Sequence, residues 1–169
     1  MNLDLKKLKL RSVNEKLQSI DRKKNNRKFT ISNPEGNHAI CAGLTENIDV
    51  NIKGHVGYYC AGMNQNANII VDGNVGTGVA ENMMSGKVHV KGNASQSAGD
   101  SLYETNIYVK GKVKSLGADC EEKKMDKKHK SKLKKLLKKA GSNIKPDQFK
   151  RYGSARKLYN FNIDNVSNY

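Results

Sequence analysis

Between Val50 and Val113 the apolar and polar positions recur with a step of nineteen residues. Val50, Ile69, Val88 and Ile107 occupy one column, Ile52, Val71, Val90 and Val109 a second, and Val56, Val75, Ala94 and Val113 a third. Gly54, Gly73, Gly92 and Gly111 stand between the second and third. Each unit reads as an alternating apolar–polar strand followed by a glycine. Such a strand turns one side inward and the other to water. A single unit has too little apolar surface to fold alone, so copies must stack and pair their backbones with the coils above and below. The pattern predicts an all-β solenoid, a right-handed single-stranded parallel β-helix with helical caps at both ends. The four glycines are expected at one corner, where another backbone approaches closely. A leucine-rich repeat is excluded because the regular leucines and asparagine of that motif are missing.

The flanks follow a different period. Leu10, Val13, Leu17 and Ile20 fall three or four apart among lysines and arginines, so residues 1–30 read as a basic amphipathic helical cap ending near Asn25-Asn26. The same helix could serve as a basic arm for nucleic acid or an acidic partner. Residues 31–120 form the predicted β-helix, with Pro34-Glu35-Gly36 as a turn and Ala39-Ile40-Cys41-Ala42 as an opening strand. Residues 121–141 read as a second basic amphipathic helix. In it Glu121 and Glu122 lie at the amino end, His129, Leu133, Leu136, Leu137 and Ala140 form one face, and Gly141 is the stop. Residues 142–169 form a tail, with a short helix expected over Asp147–Tyr152.

Charge sharpens this division. The 169-residue chain carries a net +15, yet residues 1–30 and 121–140 hold +7 each, the tail +3, and residues 31–120 only −2. A nucleic-acid groove along the coils would require an excess of basic residues there, and residues 31–120 hold six lysines against eight acids. No apolar run approaches a membrane span of about 18 residues, and the lysine-rich amino end lacks a signal-peptide core. Cys41, Cys60 and Cys120 are odd in number and without a C-x-x-C spacing, which predicts buried, inert thiols and a cytoplasmic location.

The turns between the columns are rich in glycine and asparagine but lack the lysine and the strand–glycine–helix context of a phosphate cradle. Asn64, Asn66, Asn82 and Asn93 are expected to bond corner backbone or to stack in ladders. His38 stands without a second histidine or a carboxylate cluster. No catalytic set, cofactor box or metal-ligand spacing emerges, and the chain reads as a scaffold.

The run GYYCAGMNQNANIIVDGNVGTGVAENMMSGKVHVKGNASQSAG resembles the carboxy-terminal β-helix of the glutamate synthase large subunit, the domain named GXGXG for its repeated glycines. LGADCEEKKM and FKRYGSARKLYNF extend the resemblance to the stand-alone form of that domain, the small subunit of the N-methylglutamate synthase type. It covers nearly everything from Asn33 onward. Fuller family members insert further coils where Gly99 here abuts Asp100, so this chain resembles a version shortened by whole coils. The resemblance implies a non-catalytic subunit between a glutamine amidotransferase-like subunit and an FMN-binding glutamate-synthase-like subunit. That assembly would be a methylamine–glutamate N-methyltransferase of methylated-amine catabolism. FMN is expected in the partner and no cofactor in this chain. The family's catalytic residues lie in the partner subunits, so none carry over. An independent basic protein binding nucleic acid or an acidic partner is the alternative.

Two clusters are candidate partner interfaces. Adjacent Tyr58 and Tyr59 cannot both point inward from a strand and so predict an exposed aromatic patch. Arg151, Tyr152, Arg156, Lys157 and Tyr159 interleave rings with basic groups, a composition common at interface hot spots. Tyr152 and Tyr159 could also pack back onto the β-helix.

Overall fold

In a computed structural model, which describes residues 1–20 and 27–156, the nineteen-residue step becomes a register. Strand β1 (Asn2–Asp4) precedes helix α1 (Leu10–Gln18). Then come β2 (Lys28–Ser32), β3 (Asp49–Lys53), β4 (Asn68–Val71), β5 (Lys87–Val90) and β6 (Asn106–Val109), one strand per coil. β7 (Cys120–Lys123), α2 (Lys127–Lys139), a 3-10 turn (Pro146–Gln148) and β8 (Lys150–Ser154) complete the described chain. The first six strands pair in parallel, with Val50 opposite Ile69, Ile69 opposite Val88 and Val88 opposite Ile107. The chain is a β-solenoid of about four turns.

Alternation places every second strand residue inside. Leu3, Ile31, Ile52, Val71, Val90 and Val109 form one fully buried column. Phe29, Val50, Ile69, Val88 and Ile107 form a second. Isolated parallel bridges join Val56, Val75, Ala94 and Val113 into the third. At the glycine corner Gly92 N–H donates to Gly73 O at 3.1 Å and Gly111 N–H to Gly92 O at 3.0 Å. A Cβ on Gly92 would lie 2.7 Å from the Gly73 carbonyl, so the stacking distance itself demands glycine there. Beside it runs a side-chain ladder. His55 Nδ1 accepts from Asn74 N–H, Asn74 Oδ1 from Asn93 N–H, and Asn93 Oδ1 from Lys112 N–H, all at 2.8–2.9 Å.

The return arcs are not strands. Ala39, Tyr59, Gly78 and Ser97 share the left-handed region, as do Cys41, Ala61, Ala80 and Gly99, and Gly43, Met63, Asn82 and Ser101. Side chains adopt this region at a cost of roughly 1 kcal/mol each. Coil-to-coil hydrogen bonds offset that cost: Tyr59 N–H to Thr77 O, Ala61 N–H to Ile40 O, and Met63 N–H to Glu81 O, all at 2.8–2.9 Å. This corrects the expected strand at Ala39-Ile40-Cys41-Ala42, which is turn.

The ends also differ from the pattern reading. Residues 2–4 are a strand because Leu3 extends an inward column, and among the described residues of this flank only Leu10–Gln18 is helical; the expected end at Asn25-Asn26 lies outside the described residues. α1 buries Val13 and Leu17 against the amino-terminal end of the core. Its Asn14 clamps the first arc, donating to Ala39 O at 2.8 Å and accepting from Cys41 N–H at 2.9 Å. Glu121 and Glu122 lie in β7, not at a helix terminus, and Asp126 caps α2 by accepting from His129 N–H at 2.8 Å. Past the 3-10 turn, Lys150–Ser154 is a strand, antiparallel to both β6 and β7, in place of the expected helix. α2 lies over the outer face of the sheet, where Leu133, Leu137 and Phe149 pack on Tyr108.

Replacing Val71 or Val90 by Asp puts an unpaired carboxylate into a fully buried column. We expect a loss of roughly 4 kcal/mol or more, sufficient to unfold the chain. Circular dichroism melts of both variants measure it, and melts unchanged from wild type would contradict the inward column.

Candidate functional site

Because the interior is filled by side chains, candidate sites lie on three surfaces. The first is the arc of the second coil. Tyr58 and Tyr59 are about half exposed, at 51% and 50%, in agreement with the expected aromatic patch. The two rings meet edge to face at 6.4 Å, and the Tyr58 ring stacks on His38 at 4.6 Å. His38 Nδ1 accepts from Tyr58 N–H at 2.8 Å, so that nitrogen is engaged in a structural bond. Exposed Met63 and Met84 add to the apolar surface of the coils.

The second surface is the carboxy-terminal end, where the predicted basic–aromatic cluster divides. Tyr152 is largely buried, paired in register with Ile107 as the end of an inward column, so its ring packs back onto the β-helix, the alternative the sequence left open, and forms part of a groove floor. Arg151 donates to Asn106 Oδ1 at 2.8 Å and to Lys124 O at 3.0 Å, fixing β8 to its neighbours. Arg156 pairs with Asp119 and stays largely exposed. Lys157 and Tyr159 lie outside the described residues. Tyr58 and Tyr59 are not brought together with these residues. A groove of about 460 Å³ opens here, lined by Val113, Leu116, Tyr152, Glu122 and Lys150.

The third surface was not anticipated. On the outward positions of the sheet, Ile70, His89 and Tyr108 follow one another under α2, all buried. The His89 ring stacks on Tyr108 at 5.0 Å; neither of its nitrogens makes a hydrogen bond of good geometry among the described residues, and only the Ile69 backbone offers a weak one. Burial, helped by nearby Lys87, pushes the His89 pKa down to about 3. The Tyr108 hydroxyl lies 2.7 Å from His129 Nδ1. Burial raises Tyr108 to about 12 and lowers His129, so the favoured arrangement has the hydroxyl donating to a neutral ring. Beyond the end of α2 the same face forms a cavity of about 320 Å³. It is lined by Lys28, Thr30, Asn51, Lys53 and Asn68 of the strands and Lys139 of the helix. The sequence signals for this face were the apolar or aromatic outward positions Ile70 and Tyr108 and the apolar stripe of α2, which only the three-dimensional pairing brings together.

The thiols of Cys41, Cys60 and Cys120 are free, and burial raises their pKa values, to about 12 for Cys60 and about 11 for Cys120. Cys41 and Cys60 are buried as expected, whereas Cys120 is only partly so. Among the described residues no group of three His, Cys, Asp or Glu side chains could hold a metal ion, and no helix is long and apolar enough to cross a membrane.

Fold and surfaces together define a capped parallel β-solenoid with a packed interior and several exposed docking candidates. The chain is similar to Protein GlxC of Rhizobium meliloti (strain 1021), with 64% identity over 58 residues, 34% of this chain and 25% of that protein. The match thus spans about a quarter of the curated relative. It is consistent, at the level of family, with a glutamate-synthase-like protein. No family model and no solved structure matches.

The buried His89 gives a pH signature. Its folded pKa is depressed below the unfolded value near 6.5, so its contribution is fully present above about pH 6.5 and is lost as pH falls toward 3. Urea denaturation at pH 7 and pH 4.5 should show a stability loss of a few kcal/mol, and His89→Phe should reduce that loss. An identical pH slope in the variant would contradict the assignment.

Proposed function

We propose that the chain is a non-catalytic structural subunit of a glutamate-synthase-like complex. It bridges a glutamine amidotransferase-like subunit and an FMN-binding synthase subunit, in the manner of the N-methylglutamate synthase type. The observation that carries this reading is the filled coil column: with apolar side chains packing the interior of the described coils, the chain acts through its outer faces. The GXGXG resemblance of the coils and the local similarity to GlxC support the choice of family. The exposed Tyr58–Tyr59 pair and Arg156 are proposed partner contacts, with Tyr152 and Arg151 acting from within by fixing β8.

A second reading rests on α2. Lys127, Lys128, Lys132, Lys134, Lys135 and Lys138 are exposed and have no ion pair among the described residues, a surface suited to a polyanion. The coil region as a whole carries a net −2, with six lysines against eight acids in residues 31–120, which favours the first reading.

Co-expression with an amidotransferase-like and an FMN-binding glutamate-synthase-like subunit should yield one assembly containing all three. Purified alone, this chain should carry no flavin and show neither glutaminase nor N-methyltransferase activity. A flavin-containing preparation of the isolated chain would overturn the structural role. Wild-type chain that fails to assemble with either subunit would overturn the bridge.

A further inference from the structure

The two ends of the coil stack are finished differently. At the amino-terminal end α1 places Val13 and Leu17 directly over the core, both fully buried, and Asn14 and Gln18 bond the backbone of the first arc. At the other end β8 covers only the strand of the last coil, through Tyr152 on Ile107. The corner and arc of that coil, Gly111 to Leu116, open on the groove of about 460 Å³.

The backbone ladders stop at the same place. Val56, Val75 and Ala94 each donate to the next coil, at Asn74 O, Asn93 O and Lys112 O. Val113 is the next member, and its N–H has no acceptor among the described residues. The carbonyls of Val56, Val75 and Ala94 accept from Gly76, Ser95 and Lys114, and those of Cys60, Val79 and Ala98 from Ala80, Gly99 and Gly117. Val113 O and Leu116 O continue these series without a donor among the described residues. An apolar floor, unpaired backbone groups and a strand-like edge are what an added extended segment requires.

The rim gives the sign of the occupant. Lys110, Lys112 and Lys114 are exposed, follow one another along the last coil, and have no ion pair among the described residues. Lys150 is already paired with Glu122 at 3.0 Å. Residues 157–169 of the chain itself contain one lysine and one aspartate, so they offer no net charge to match this rim.

We propose that the carboxy-terminal mouth of the solenoid docks an extended segment of a partner subunit in which apolar residues alternate with acidic ones. The segment continues the coil stack by pairing with Val113 and Leu116, buries its apolar side chains on Val113, Leu116 and Tyr152, and sets its carboxylates against Lys110, Lys112 and Lys114. This rests on the bridging reading above and specifies which surface the partner uses.

Amide hydrogen exchange on the full chain, alone and in the three-subunit assembly, tests it. In the isolated chain Val113 should exchange at least tenfold faster than Ala94, and in the assembly it should become protected. The variant Lys110→Glu/Lys112→Glu/Lys114→Glu should keep the melting temperature of the wild-type chain while assembly at low salt weakens at least tenfold. Val113 already protected in the isolated full chain, with protection lost when residues 157–169 are deleted and restored by a synthetic 157–169 peptide, would overturn the proposal in favour of the chain's own segment. Equal assembly by wild type and triple variant, or a Val113 that stays unprotected in the assembly, would also overturn it. A wild-type chain that does not assemble at all would overturn the bridging reading, and this occupant with it.

Discussion

Direct contact between the backbones of successive coils at the glycine corner sets the geometry of this molecule. The carbonyl of each corner glycine lies where a side chain on the next would have to be, so Gly73, Gly92 and Gly111 fix how closely coils approach. Once that distance is set, the strands fall into register, and the side-chain ladder from His55 through Asn74 and Asn93 to Lys112 follows the same step. Ion pairing conforms to it as well. Asp72 reaches back one coil to Lys53 at 2.7 Å and forward one coil to Lys91 at 2.6 Å. Nineteen residues is thus a three-dimensional constraint satisfied simultaneously by packing, backbone bonding and charge.

The remaining elements deal with what a stack leaves unfinished. A solenoid has two ends and an outer face, each with unpaired groups or apolar surface. α1 closes the amino-terminal end, β8 and β7 cover one sector of the other, and α2 lies across the outer face above Ile70, His89 and Tyr108. The buried His89, with burial outweighing a weak backbone contact to Ile69, makes this cover costlier at low pH than an apolar residue would. The basic charge sits largely on the covering elements, which leaves the coils to hold the fold and the flanks to meet other molecules.

The coils were legible in the sequence because their physics is local and periodic: an inward valine at 71 implies one at 90, and a glycine at 73 implies one at 92. The arcs were not, because left-handed geometry at Ala39, Cys41 and Ala61 is enforced by bonds to neighbouring coils and has no local propensity signal. Likewise Leu3 belongs to a strand only because Ile31 is there to receive it, and the helical period that begins at Leu10 concealed this. The sequence left Tyr152 open between an interface and the β-helix, because rings beside arginines suit both. Its burial follows from β8 reversing onto β6, a non-local pairing. The exposure of Tyr58 and Tyr59 was legible, since two adjacent rings cannot share one face of a strand.

The most direct test of the stacked-coil account is residue-resolved amide hydrogen exchange across residues 49–118. The account predicts protection repeating every nineteen residues, with the amides of Gly92 and Gly111 slow alongside those of Ala80 and Gly99, whose acceptors lie one coil away. Protection without that period, or fast exchange at Gly92 and Gly111 while the strands remain protected, would contradict it.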